Sequence, residues 1–317
     1  MAAEAGGKVA VITGASSGIG RAAAQAFARQ NWRLVLAARS LPALEIAAQE
    51  CTDAGGEAFP FACDVTHFDD IRALAEAAKQ RYGQLDVWVN DAGVHMLGRF
   101  EDLPLEDFRQ VIEVNLMGTV HGCRAALPIF RAQGHGVLIN IASMAGAIGQ
   151  PFASAYVASK WAVRGLSEAL RMELLDAPGV HVCTVLPPSI DTPLFQHAGN
   201  VAGRAVQPVP PVHSPEELAD IIVSLASKPE REVFMGMGRL VAAARAVAPA
   251  ATERLMARAV AKRHFQQSTS GRSRGNLYAP QTDSGRATAI TIAAAALVAV
   301  PLGVYAWRRM RGHSAYV

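Results

Sequence analysis

The sequence predicts a doubly wound α/β fold, a parallel sheet with helices on both faces, and two observations carry that prediction. From Val9 to about Phe234, short apolar runs alternate with longer segments of helical length and periodicity. The short runs are apolar throughout rather than at every second position, as strands are when both faces of their sheet are covered. Strand, helix, strand order then implies parallel pairing through right-handed crossovers. In chain order, "VAVIT" (Val9 to Thr13), "LVLAA" (Leu34 to Ala38), "AFPFA" (Ala58 to Ala62), "LDVWV" (Leu85 to Val89), "GVLINIAS" (Gly136 to Ser143) and "VHVCTVL" (Val180 to Leu186) read as strands, and "REVFM" (Arg231 to Met235) as a weaker seventh. Gly20 to Gln30, Asp69 to Tyr82, Leu105 to Ala132 and Ala153 to Leu175 read as helices. No internal repeat is visible, and residues 1–236 are expected to form one domain.

Beyond residue 236 the character changes. Residues 237–267 are an Ala/Arg-rich helical extension, and the polar stretch 268–287 is expected to be a flexible linker. Residues 288–307, "TAITIAAAALVAVPLGVYAW", carry no charge over a length that meets the need of a bilayer span. Tyr305 and Trp307 stand where interfacial aromatics belong, and a basic tail, 308–317, follows. This reads as a tail anchor that holds the domain on the cytoplasmic side of a membrane. That orientation sends Arg308, Arg309 and Arg311 to the far side, against the positive-inside tendency. A re-entrant or interfacial segment is therefore the alternative, and a buried Ala-rich helix the plainer one.

Bulk properties narrow the function classes. With 317 residues and 51% hydrophobic content the chain can bury a large core, and a net charge of +3 with scattered arginines offers no footprint for nucleic acid. Cys51, Cys63, Cys123 and Cys183 form no C-x-x-C pair, which favours a reducing compartment and buried thiols. The N-terminus has no basic region followed by an apolar stretch, so no secretory leader is expected. Nine histidines fall into no ligand-spaced cluster, and no metal is expected.

"TGASSGIG" (Thr13 to Gly20) joins the first strand to the first helix. Gly14 permits a tight turn, Gly18 a close approach of a pyrophosphate to the backbone, and Gly20 close helix–strand packing, with phosphate held by free N–H groups at the helix start. Gly14-Ala15-Ser16-Ser17-Gly18 also satisfies the G-x-S-x-G of a hydrolase elbow. That elbow needs an oxyanion loop before it, and on the first strand none can precede it. At the end of the second strand, about 20 residues on, an NAD site presents an acid to the ribose. This chain has Arg39-Ser40, suited to a 2′-phosphate, so NADP(H) is expected over NAD(H). A solvated surface arginine is the bland alternative. Asp64 is placed either to accept from an adenine amino group or to cap a helix.

In "AYVASKWAV" (Ala155 to Val163), Tyr156 and Lys160 stand at i, i+4 and so share one helix face. A phenol of pKa about 10 is a poor proton carrier at neutral pH, and a neighbouring ammonium would make it usable. Ser143 ends the fifth strand at the carboxyl edge, where it can polarise a carbonyl. Asn115 is a polar residue among apolar neighbours, functional or simply a satisfied core amide. Phe195, His197 and Met96 are candidate pocket residues, within or near a long Pro/Gly-rich segment, Pro193 to Leu218, placed as a substrate lid.

These motifs, with "NDAG" (Asn90 to Gly93) and "PPSIDT" (Pro187 to Thr192), resemble the classical short-chain dehydrogenase/reductase family over residues 8 to about 235. The resemblance implies a Rossmann-type domain, a homodimer or homotetramer, and hydride transfer between a nicotinamide and a small carbonyl or alcohol. By the same resemblance Tyr156 exchanges a proton with the substrate oxygen and Lys160 lowers its pKa and holds the nicotinamide ribose. Ser143 orients the substrate, and Asn115 anchors a relay water. Gly14, Ser16, Ser17, Gly18, Ile19, Gly20, Arg39, Ser40, Asp64, Val65, Asn90, Ala92, Gly93, Tyr156, Lys160, Pro187, Ser189, Ile190 and Thr192 would hold the cofactor. Two positions depart from the pattern. Asp91 replaces an asparagine, with the turn kept, and Pro188 replaces a glycine, which removes a donor and alters the path beside the nicotinamide. A membrane tether further suggests a lipophilic substrate. A dinucleotide-binding scaffold or sensor without turnover is the alternative reading.

Overall fold

The structure is a computed structural model, and it describes residues 7–280. In chain order the elements are β1 (Val9–Thr13), α1 (Gly18–Ala28), β2 (Arg33–Ala38), α2 (Leu41–Asp53), β3 (Glu57–Ala62), α3 (Phe68–Tyr82), β4 (Val87–Asn90), β5 (Met96–Leu97), α4 (Leu105–Ile112) and α5 (Gly118–Gln133). There follow β6 (Gly136–Ile141), α6 (Ser154–Glu173), β7 (Val180–Leu186), β8 (Ser189–Ile190), β9 (Gly199–Asn200), β10 (Arg204–Val206), β11 (Val212–His213), α7 (Pro215–Leu225), β12 (Glu232–Phe234), α8 (Gly238–Val247), α9 (Pro249–Arg263) and β13 (Phe265–Thr269). Seven strands form one parallel sheet in the order β3-β2-β1-β4-β6-β7-β12, a Rossmann-like doubly wound sheet. All six expected strands and the weaker seventh are there. Pro60 lies on β3, an edge strand, where its missing N–H costs no ladder bond.

Both faces of the sheet are covered, as the unbroken apolar runs require. On β1, Ala10 and Ile12 pack with Phe27, Leu34, Leu36, Ile139 and Ile222 on one side. Val9 and Val11 pack with Ile71, Leu74, Trp88, Phe130 and Leu138 on the other. Each buried Val, Leu, Ile or Phe among them contributes roughly 1.5–3 kcal/mol. All four cysteines are buried. Burial pushes the thiols of Cys51, Cys63 and Cys123 up to about 12 and that of Cys183 to about 11.

A row of polar residues crosses the apolar sheet in register: Thr13, Asn90, Asn140 and Thr184 stand side by side on β1, β4, β6 and β7. Asn90 accepts from the Trp88 indole (2.8 Å) and donates to Asn140 Oδ1 (2.8 Å), and Asn140 donates to Ser167 Oγ on α6 (2.9 Å). Such a group left unpaired would cost about 1–3 kcal/mol, and here each finds a partner.

The structure departs from the sequence expectation in two places. The single helix expected over Leu105 to Ala132 is two, α4 and α5, joined by one π-helical turn, Glu113–Met117. The stretch 268–287 was expected to be a free linker, but its described part packs on the domain. Phe265–Thr269 pairs antiparallel with Arg204–Val206, Ser273 and Asn200 exchange backbone hydrogen bonds, and Leu277 is fully buried. The apolar Leu277 and aromatic Tyr278 are what a polar average over the stretch conceals. The rest of that stretch, the apolar segment 288–307 and the basic tail 308–317 lie outside the described residues. Among the described residues no helix is long and apolar enough to cross a membrane.

Candidate active site

The strand order reverses between β1 and β4, so their carboxyl ends open the crevice in which α/β sheets bind ligands. The glycine turn forms its floor. Gly14 has φ +75°, and a Cβ there would stand 2.8 Å from the Ala92 nitrogen; at Gly20 one would meet the Gly14 carbonyl oxygen at 2.6 Å. Helix α1 starts at Gly18 with Ser17 making no side-chain cap and no acid in its first turn. The Asp91 carboxylate lies against Gly20 and draws on its N–H, while neither a Ser17 cap nor a first-turn acid meets the N–H groups ahead of it, which suits a pyrophosphate. Thr13 Oγ1 ties the far wall to β1 by accepting from the Asp91 and Ala92 nitrogens (3.2 and 3.3 Å).

Along the rest of the crevice the expected cofactor residues divide. Ser40 caps the start of α2 without a side-chain bond. Thr192 reaches the glycine turn, its Cβ 3.2 Å from where a Gly18 side chain would begin. Ser189 and Ile190 pair with Val212 and His213, so the segment after Pro187-Pro188 is held as a short ladder, while the Pro187 carbonyl accepts from Met144 N (2.8 Å). Asp64 turns one carboxylate oxygen to its own loop, where it accepts from Thr66 N and Oγ1 (both 2.9 Å), and it does not cap α3, whose N-cap position is His67. Val65 is buried against the start of α5, and the Asn90 side chain is spent inside the sheet. The Arg39 guanidinium donates to the carbonyls of Asn276 (2.7 Å) and Leu277 (3.3 Å), and burial holds its pKa below the ordinary arginine value.

The four expected catalytic residues converge. Asn115 is 0% exposed and sits in the π turn. Its side chain accepts from Val94 N (2.8 Å) and donates to Val94 O (3.0 Å) and Ser159 Oγ (3.1 Å). Both Nδ2 donors are thereby taken, so the side chain fixes the loop leaving β4, and toward a water it has only the second lone pair of Oδ1 to offer. Ser143 begins a one-turn helix after β6; its Oγ accepts from Ala145 N (3.1 Å), and it lies close enough to the Tyr156 phenol to draw its pKa down. Lys160 donates to Ile141 O (2.8 Å) with its Nζ 5.6 Å from the Tyr156 ring centre.

The electrostatics of this group differ from the expectation. The phenol of Tyr156 is pushed up to about 12, chiefly by burial, with Ser143 drawing it down and the Asp91 charge raising it further. Asp91 and Lys160 face each other as a buried pair: burial raises the carboxyl and lowers the ammonium, while each favours the charge of the other. The carboxylate of Asp91 thus offsets the lysine whose positive charge was expected to make the phenol acidic.

Two histidines were missed. His95, 1% exposed, stacks on Tyr156 with ring centres 4.3 Å apart and planes within 13°. Burial drives it down to about 3, so it is neutral. Phe195 lies 5.9 Å from His95 and 5.7 Å from His264, and His264 comes from the far C-terminal extension. His95 directly follows "NDAGV", the one signal that could have drawn attention to it; His264 offered none. Of the pocket candidates, Phe195 is at the site, Met96 is fully buried beneath Gly199, and His197 carries the lid backbone by accepting from Asn276 N (2.9 Å).

A glycine-floored crevice with Ser143, Tyr156 and Lys160 on one wall is matched by a profile of the short chain dehydrogenases over residues 8–201. The chain belongs to the short-chain dehydrogenase family. It is thereby an oxidoreductase with a nucleotide-binding Rossmann-like domain. The uncharacterized oxidoreductase YxnA of Bacillus subtilis (strain 168) is 34% identical over 278 residues, 86% of this chain and 78% of its own. The trans-4-hydroxycyclohexanecarboxylate dehydrogenase of Sinomonas cyclohexanicum is 37% identical over 227 residues, 69% of this chain and 86% of its own. Among solved structures, the alcohol dehydrogenase of the archaeon Thermococcus sibiricus, complexed with 5-hydroxy-NADP, superposes with a TM-score of 0.63 at 33% identity, covering 72% of this chain and 95% of its own. A family member from Burkholderia phymatum in complex with NAD gives 0.70 at 28%, covering 79% and 96%.

Proposed function

We propose that this short-chain dehydrogenase uses NADP(H) to interconvert a carbonyl and an alcohol, with Tyr156 as the acid/base. The observation that carries the reading is the convergence of Ser143, Tyr156 and Lys160 at the carboxyl edge of the sheet, with Lys160 Nζ 5.6 Å from the Tyr156 ring centre and donating to Ile141 O (2.8 Å). The nicotinamide, when bound, supplies or accepts the hydride at the carbonyl carbon. In reduction Tyr156 gives its phenolic proton to the substrate oxygen, which Ser143 orients, and in oxidation it takes that proton back. Lys160 supplies positive charge under the phenol and a donor toward the nicotinamide ribose, and Asn115 holds the Val94 backbone that walls the site. Arg39 at the end of β2, with no acid in its place, supports NADP(H) over NAD(H).

The substrate proposed is a lipophilic alcohol or ketone, in keeping with the stacked His95 and Phe195 beside the phenol and with the ring-bearing alcohol in the name of the Sinomonas relative. A membrane location, with the domain facing the cytoplasm, is supported by the uncharged stretch 288–307. Exposed Leu240, Val247 and Leu255 beside Arg239, Arg254 and Arg258 on α8 and α9 suit an anionic lipid surface. A homodimer or homotetramer is part of the same reading, testable by solution mass. The decisive experiment is NADPH oxidation with a panel of cyclic ketones. Tyr156→Phe should lower kcat by about 10²-fold or more; unchanged turnover overturns the assignment of the proton donor.

A further inference from the structure

The C-terminal segment Ser273–Tyr278 lies against Arg39 at the carboxyl end of β2, and one of its atoms is bonded from both sides. Leu277 O accepts from Arg39 Nη1 at the end of β2 (3.3 Å) and from Gln110 Nε2 on α4 (3.1 Å), while Asn276 O accepts from Arg39 Nη2 (2.7 Å). Both terminal nitrogens of the guanidinium are therefore taken by backbone carbonyls of the same chain. The segment is pinned from outside by Arg274 against Glu106 (2.7 Å) and Asp107 (3.2 Å), by Tyr278 Oη donating to Asp107 (2.9 Å), and by Asn276 N donating to His197 O (2.9 Å). The fit is imperfect in one respect: Asn276 Oδ1 is buried with no hydrogen-bond partner among the described residues. Release of the segment would return that acceptor to water and recover its desolvation cost.

We propose that residues 273–278 are a strap competing with the 2′-phosphate of NADP(H) for Arg39, so that NADP(H) binding displaces the strap and strap closure holds the site against it. The inference rests on the reading of Arg39 as the holder of that phosphate. A dianionic phosphate meeting a guanidinium makes charge-assisted, bidentate bonds about twice as strong as those to neutral carbonyls. A ribose 2′-hydroxyl has no such advantage, and NADH leaves the strap in place. The lid is coupled to the same event, because the strap pairs with it at Asn200 and His197.

Hydrogen exchange of the full-length protein, read by mass spectrometry over residues 273–280, tests this directly. Saturating NADPH should remove protection there, and saturating NADH should not. A second test uses Gly275, which has φ +54° and where a Cβ would overlap the carbonyls of His197 and Ala198. Gly275→Ala should unseat the strap without touching Arg39 and tighten NADPH, titrated by its fluorescence, about tenfold. Arg274→Ala, which removes an exposed anchor, should act in the same direction should Gly275→Ala fold poorly. Protection that is unchanged or increased by NADPH, or lost equally with NADH, overturns the strap while leaving the oxidoreductase reading standing. Failure of the wild type to bind either dinucleotide overturns the nucleotide reading of Arg39, and the strap with it.

Discussion

Tyr156 is protonated throughout the neutral range because burial holds its phenol near 12. A group loaded with its proton is a ready acid and a reluctant base. Reduction should therefore not gain as pH rises from about 6 to 9, and should fall where Lys160, lowered by burial to about 8, gives up its charge, while oxidation, which draws on the small ionised fraction of the phenol, climbs through that window. Parallel profiles of kcat in the two directions check this, and an oxidation rate flat in pH would contradict it. Asp91 raises both Tyr156 and Lys160, so Asp91→Asn should move the oxidation profile toward lower pH, by about one unit. An unmoved profile would show that the carboxylate is electrostatically silent. Asn115, Ser143, Tyr156 and Lys160 could be read in the sequence because each depends on a local pattern, a strand end or one helix face. Asp91 stood out as a departure, but its pairing with Lys160, on a helix far along the chain, did not. His95 and His264 meet around Phe195 from segments 169 residues apart, and no spacing rule reaches that far.

Helix periodicity carries on through the π turn at Glu113–Met117, which is why one long helix was expected. One wider turn inserts a single residue without breaking the helical course, and it often marks a functional position. In this chain it frees the Asn115 side chain to bracket Val94. The polar row across the sheet was equally hidden, since Asn90 falls just past the end of an apolar run and Asn140 is a lone polar residue inside one. Asn140→Ala would leave Asn90 Nδ2 and Ser167 Oγ short of partners. About 2–4 kcal/mol of stability should be lost, at about 1–2 kcal/mol per stranded group. Urea unfolding measures it, and a loss under about 0.5 kcal/mol would mean that the network rearranges.

At the scale of the chain, the doubly wound sheet was legible because unbroken apolar runs and their order leave few alternatives. The packing of residues 265–278 was not, since it rests on isolated side chains such as Leu277 and Phe265 set in polar surroundings. Deleting residues 288–317 should move the protein from the membrane to the soluble fraction with NADPH binding intact; retention at the membrane would place the attachment elsewhere, with α8 and α9 the next segment to test. The buried cysteines offer a route to watching such movements. With every native thiol so rarely ionised, alkylating dyes have almost nothing to react with on the folded protein at pH 7. One cysteine introduced on the surface would then report alone, and a fluorophore attached beside Tyr278 could follow that region in real time without first stripping the wild-type sulfurs.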